Sequence, residues 1–97
     1  MAQLIHQTAY WSGTGFESGH EHHWYMNPID NWEVNAVTAH PDLISFSAYI
    51  DVPTELMVKD VRSYISADGG RNLLFTVRNT GSNRVWGYRV NFSFVKP

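Results

Sequence analysis

Apolar and polar positions alternate with period two along most of the second half of the chain. Between Leu43 and Asp51, Ile44, Phe46, Ala48 and Ile50 alternate with Ser45, Ser47 and Tyr49. Leu73, Phe75 and Val77 share a face, with Thr76 and Arg78 on the other. From Val85 to Val95, Trp86, Tyr88, Val90, Phe92 and Phe94 are opposed by Gly87, Arg89, Asn91 and Ser93, the longest clean alternation in the chain. Successive side chains of a strand point to opposite faces, so each run predicts a strand with one face on a core. The aromatic residues of the last run are read as core.

Leu56–Ser66 is a further strand, with Val61, Ser63 and Ile65 alternating against Arg62 and Tyr64; the break at Leu56, Met57 and Val58 predicts a bulge or an end buried on both faces. Asp68-Gly69-Gly70 supplies residues that tolerate positive φ, and Asn79-Thr80-Gly81-Ser82-Asn83 a longer turn. Leu56 to Val95 therefore reads as a three-stranded antiparallel meander, while Pro41 and Pro53 bracket the Leu43 strand. In the first half, Leu4–Trp11 predicts a strand ended by a flexible Ser12-Gly13-Thr14-Gly15 break. His20–Met26 reads as extended, and Pro28 with Asp30-Asn31 as a turn. Trp32–Ala39 predicts a strand with Trp32, Val34 and Ala36 on one face. No segment carries a 3.6-residue stripe, so no sizeable helix is expected. Six or seven short strands separated by turn signals predict an all-β fold, a β-sandwich or a small barrel, with a small antiparallel β-sandwich the leading expectation, and a length of 97 residues predicts one domain spanning 1–97.

Composition narrows the partners. Charged residues make up 16% of the chain, below the roughly 25% usual in soluble domains. A surface so short of charge must expose neutral polar and aromatic groups, which favours a homo-oligomer or a partner-facing patch. A net charge of −2 with seven basic residues lacks the clustered Lys and Arg of a nucleic-acid footprint. No apolar run reaches bilayer-spanning length, so no membrane span is expected. The absence of cysteine excludes thiol nucleophiles and thiolate zinc sites. Met1–Gln7 has no basic and apolar leader pattern, which fits either a cytoplasmic protein or one exported without a recognisable signal peptide.

Candidate chemistry concentrates in Gly19-His20-Glu21-His22-His23-Trp24-Tyr25, which holds three of the five histidines and two of the nine tryptophan and tyrosine residues. On a strand, His20, His22 and Trp24 would share one face and Glu21, His23 and Tyr25 the other. A His-x-His pair can place two imidazoles on one zinc, nickel or copper ion. The third ligand would come from His40, with His6, Glu17 and Asp42 as alternatives. The same segment also reads as a polar strand edge whose histidines bond to backbone or water. Aromatic rings beside amides and carboxylates are the equipment for gripping a sugar, the ring covering the C–H face and the polar groups taking hydroxyls. His20, His22, His23, Trp24, Tyr25, Asn31 and Trp32 form the candidate patch for a carbohydrate or other small polar ligand. Neither a Gly-x-Ser-x-Gly elbow nor a phosphate loop is present. The leading expectation is a non-enzymatic, lectin-like binding module working as a homo-oligomer. The alternatives are a metal-binding protein, a metal-dependent enzyme included, and a structural assembly subunit whose aromatics bury in a neighbour.

Overall fold

The strongest alternations become the central strands of two facing sheets in the computed structural model, which describes residues 3–42 and 54–96. The described strands are β1 (Gln3–Phe16), β2 (Glu21–Met26), β3 (Glu33–Pro41), β4 (Leu56–Ile65), β5 (Arg71–Asn79) and β6 (Val85–Lys96). One sheet has the order β1-β6-β3 and the other β2-β5-β4, with every pairing antiparallel. Beyond a single 3₁₀ turn at Ile29–Asn31, the described residues contain no helix. The architecture is therefore all-β and consistent with a small sandwich. The run Leu43–Asp51 lies outside the described residues.

The core forms where the inner faces of β5 and β6 meet. Leu73, Phe75 and Val77 of β5 pack against Tyr88, Val90, Phe92 and Phe94 of β6, with Phe16 and Val85 closing one end. Each of these nine side chains is at most 3% exposed. Fully burying a side chain of this size stabilises by about 1.5–3 kcal/mol, so this layer is the main driving force for the fold.

Five local expectations are corrected. First, β5 and β6 do not form a hairpin: Asn79–Asn83 carries the chain from one sheet to the other, and among the described strands only β4–β5 is a hairpin. A turn and a crossover both need residues that accept tight backbone geometry, so the residue types alone could not separate them. Second, Trp86 is 43% exposed, with the Arg84 guanidinium 5.2 Å from its ring. Val85 and Tyr88 are both buried although three residues apart, so the phase of β6 changes between them. Third, β1 continues through Ser12–Gly15, its register against β6 shifting between Ser12 and Phe16. Fourth, β3 bulges between Val34 and Ala36, which turns Val37 and Ala39 toward the core and leaves Ala36 exposed. Fifth, Leu56–Val58 is neither a bulge nor an end buried on both faces: Met57 is exposed, and the bulge of β4 lies between Lys59 and Arg62.

Asn79 ties the two crossovers together. Fully buried, it donates through Nδ2 to the carbonyls of Phe16 (2.8 Å) and Asn83 (2.7 Å) and accepts the Gly81 N–H at Oδ1 (3.0 Å). Its backbone bonds His20 and Gly19 in the β1–β2 connection. Asn79→Ala removes the side-chain bonds to three backbone groups at once, two of them in the buried residues Phe16 and Gly81. Since each stranded group costs about 1–3 kcal/mol, urea denaturation should show a loss of roughly 3 kcal/mol or more. Asn79→Asp should be no milder, because a carboxylate oxygen would face two carbonyls.

Candidate functional site

The alternation along β2 sorts the His/aromatic cluster into two environments. His22, Trp24 and Met26 pair with Val77, Phe75 and Leu73 and face the interior; Glu21, His23 and Tyr25 face outward. Inside, Trp24 stacks on Phe75 (5.7 Å between centroids, 10° between planes), and the His22 ring stacks on Phe16 (3.8 Å, 11°). Both reach the hydroxyl of Tyr88 on the opposite sheet: Trp24 Nε1 at 2.9 Å and His22 Nδ1 at 2.7 Å. An indole nitrogen can only donate. The Tyr88 oxygen therefore accepts from Trp24, and its own proton goes to His22 Nδ1 when the imidazole carries its proton on Nε2. Burial pushes the Tyr88 hydroxyl up to about 12, so it keeps that proton at any working pH. Burial also lowers His22, helped by the nearby charges of His20 and His23.

Outside, the sheet carries a cleft of about 290 Å³ at the end where the β4–β5 hairpin turns. Two exposed tyrosines flank it, Tyr25 (57%) from β2 and Tyr64 (42%) from β4. Between them lies Asn72 of β5, 4% exposed, whose Nδ2 donates to the Gly70 carbonyl (3.0 Å). The Tyr25 hydroxyl lies 2.6 Å from Asn72 Oδ1 and 2.9 Å from Asn27 Oδ1. It has one proton and serves one acceptor at a time, leaving an amide oxygen to accept from a ligand hydroxyl. Asp68 lines the rim. The Ser66 hydroxyl, and then the Gly70 N–H, bond its Oδ1 and hold its carboxyl below the usual range. Its Oδ2 remains to accept. Asn31, in a left-handed conformation (φ 57), closes the other side, accepting the Arg71 N–H at Oδ1 (2.8 Å) and its Nε–H at the carbonyl (3.0 Å).

The structure thus gathers Tyr25 and Asn31 of the candidate patch on one cleft and sets His23 beside it on the same face. His22 and Trp24 are turned inward, Trp32 packs at the margin of the core, and His20 is exposed just before β2. His40 sits on β3, in the other sheet, with Nε2 3.0 Å from the Thr38 hydroxyl. His20, His22 and His40 are not brought together, and among the described residues no three His, Asp or Glu side chains converge as a metal site. Tyr64, Asp68, Arg71 and Asn72 escaped the sequence reading. The one available signal was the Asp68-Gly69-Gly70 turn, which brings the ends of two strands side by side.

Searches of protein-family models, curated proteins and solved structures find no match to this chain. No helix of the described residues is long and apolar enough to cross a membrane.

The His22 environment sets a pH dependence. Its folded-state pKa lies below the ordinary 6.5. Above that value both folded and unfolded states carry a neutral ring. As pH falls, the unfolded chain takes up the proton first, and stability is lost on the way through the folded-state value. The melting temperature should therefore fall as the pH is lowered from about 7 through the histidine range. His22→Phe, which keeps the stacking, should flatten that slope while lowering stability at pH 7 by about 1 kcal/mol for the lost Tyr88 bond.

Proposed function

We propose that this domain is a carbohydrate-binding module whose ligand lies in the cleft between Tyr25 and Tyr64. The observation that carries this reading is the pair of exposed rings held over a buried, hydrogen-bonded amide. Exposed aromatic rings offer faces for the C–H side of a sugar. Asn72, Asn27 and Asp68 offer acceptors, and Arg71 a charged donor, at the same cleft. Its volume stands at the lower edge of the roughly 300–1,000 Å³ usual for small-molecule sites, which suits one or two sugar rings better than a long chain. The cluster around His22 and Trp24 supports the site from behind and does not touch the ligand.

A glycan array followed by calorimetry on the ligands it finds tests the reading. Tyr64 is exposed, so Tyr64→Ala should leave the melting temperature within a degree or two while weakening binding about tenfold, the equivalent of about 1.4 kcal/mol. Trp24→Ala should behave in the opposite way, losing stability by about 3 kcal/mol or more from a cavity beside Phe75. Glycan binding that survives Tyr64→Ala unchanged would sink the assignment of the cleft.

A second reading rests on β4. It is an edge strand of its described sheet and exposes Met57, Val61 and Ile65. An edge of this length invites pairing with another strand, and a second copy of the chain provides one. Sedimentation velocity over a range of concentrations should then show a dimer or larger species that Val61→Lys dissociates; a wild-type monomer throughout would eliminate this reading.

A further inference from the structure

A second depression, of about 440 Å³, adjoins the tyrosine cleft on the same face, lined by His23, Asp60, Arg62 and Thr76. The bulge in β4 creates it. Lys59 pairs with Thr76 and Arg62 with Leu74, so β4 advances three residues while β5 advances two. Asp60 absorbs the extra residue at φ 54. The odd spacing returns Arg62 to the face already occupied by Lys59, the kind of re-aiming that bulges perform. His23 stands two residues before Tyr25 on β2, and Arg62 two before Tyr64 on β4. At about 3.3 Å per residue, each lies one side-chain step from the tyrosine cleft.

The charges on this face do not cancel. Glu21 Oε2 is shared by Lys59 (2.5 Å) and Arg78 (3.1 Å), and both pull its carboxyl below the usual range. Asp60 lies 3.9 Å from the same lysine. Two carboxylates thus face Lys59 and Arg78, and Arg62 makes no ion pair or hydrogen bond among the described residues. His23 Nδ1 lies 3.1 Å from the Thr76 hydroxyl. With Thr76 donating, the imidazole proton sits on Nε2 and is available to a ligand. A planar guanidinium with no partner among the described residues, next to an imidazole N–H, suits an oxyanion, which accepts two bonds from arginine at once.

We propose that this depression is an oxyanion subsite, taking the carboxylate or sulfate of an acidic sugar whose ring lies in the tyrosine cleft. The proposal rests on the carbohydrate reading of that cleft and names the ligand class. Asp60 is the opposing charge on the rim and tempers the affinity.

The test is nuclear magnetic resonance titration of the isotopically labelled chain at low ionic strength, with sodium sulfate and sodium chloride as the first pair of probes. A uronic-acid disaccharide and its neutral counterpart form the second pair. Sulfate, not chloride, should shift His23, Thr76 and the Arg62 side chain saturably. Arg62→Gln should weaken both sulfate and uronate binding by about tenfold or more. Asp60→Asn, which keeps a residue tolerant of positive φ, should tighten both severalfold. Tyr64→Ala should weaken the disaccharide and leave sulfate unchanged. Sulfate shifts that do not saturate, indifference to Arg62→Gln, or equal affinity for the neutral and acidic disaccharides would each overturn the proposal. Loss of the tyrosine effect alone, with sulfate still bound through Arg62, would remove the carbohydrate reading and keep the oxyanion subsite.

Discussion

The Tyr88 hydroxyl is the constraint on which the arrangement depends. It is a polar group inside an otherwise apolar layer, and a buried hydroxyl without partners costs a few kcal/mol. Its partners come from the facing sheet: Trp24 Nε1 donates to it, and His22 Nδ1 lies within hydrogen-bond distance. A one-residue slip of β2 would turn both away, bury His23 and Tyr25 against phenylalanine and valine, and strand the hydroxyl. The register of β2 is thereby locked from within, although its six residues lie at the edge of a sheet. That lock decides which side chains reach solvent. The outward position of Tyr25 and His23 is a consequence of where Trp24 and His22 must go.

On the other edge the same face is set by a different device. β4 carries no inward anchor past Val58 comparable with Trp24, and from Asp60 to Ile65 each of its residues is exposed. The bulge at Asp60 does the positioning, moving Arg62 and Tyr64 into line with Lys59. The central strand β5 provides the floor and is buried on both faces. Leu73, Phe75 and Val77 lie inward, while Asn72 and Thr76 lie outward beneath side chains of the neighbouring strands. A rigid middle strand flanked by two edges with independent means of orientation gives a groove whose walls differ in chemistry from its base.

This division explains what could be read in advance. β5 and, from Tyr88 onward, β6 were legible because a central strand of a two-layer fold is flanked on both sides and packs its inner face on the core, which keeps its apolar positions in alternation. Edge strands satisfy a weaker demand, and their bulges at Asn35 and Asp60 look in sequence like ordinary polar residues. The role of Asn79 was hidden for the same reason: an asparagine in a turn is common, and only the carbonyls of Phe16 and Asn83 distinguish a structural tie from a loop. Of the site, the His/Tyr segment drew attention by its density. Its partner Asn72 lies 47 residues from Tyr25 and resembles any polar strand residue. Contacts across a sheet that connect distant segments leave no local trace. The outward and inward halves of β2 also differ in environment far more than their composition indicates.

The polar groups that line the cleft are also fixed by the fold itself. Tyr25 is tethered to Asn72, the Asp68 carboxylate is oriented by Ser66 and Gly70, and Asn31 is fixed by two bonds from Arg71. Ordering a mobile side chain at an interface costs roughly 0.5–1.5 kcal/mol, and three such costs have already been met by folding. Asp30 and Asn31 both adopt left-handed backbone conformations to bring the Asn31 amide to Arg71. Asparagine and aspartate are the non-glycine residues that tolerate this best. A surface assembled only for solubility would have no reason to hold these polar groups still or to accept two consecutive unfavourable backbone states. The rigidity of the polar groups, more than the presence of the tyrosines, is what the proposed binding role rests on.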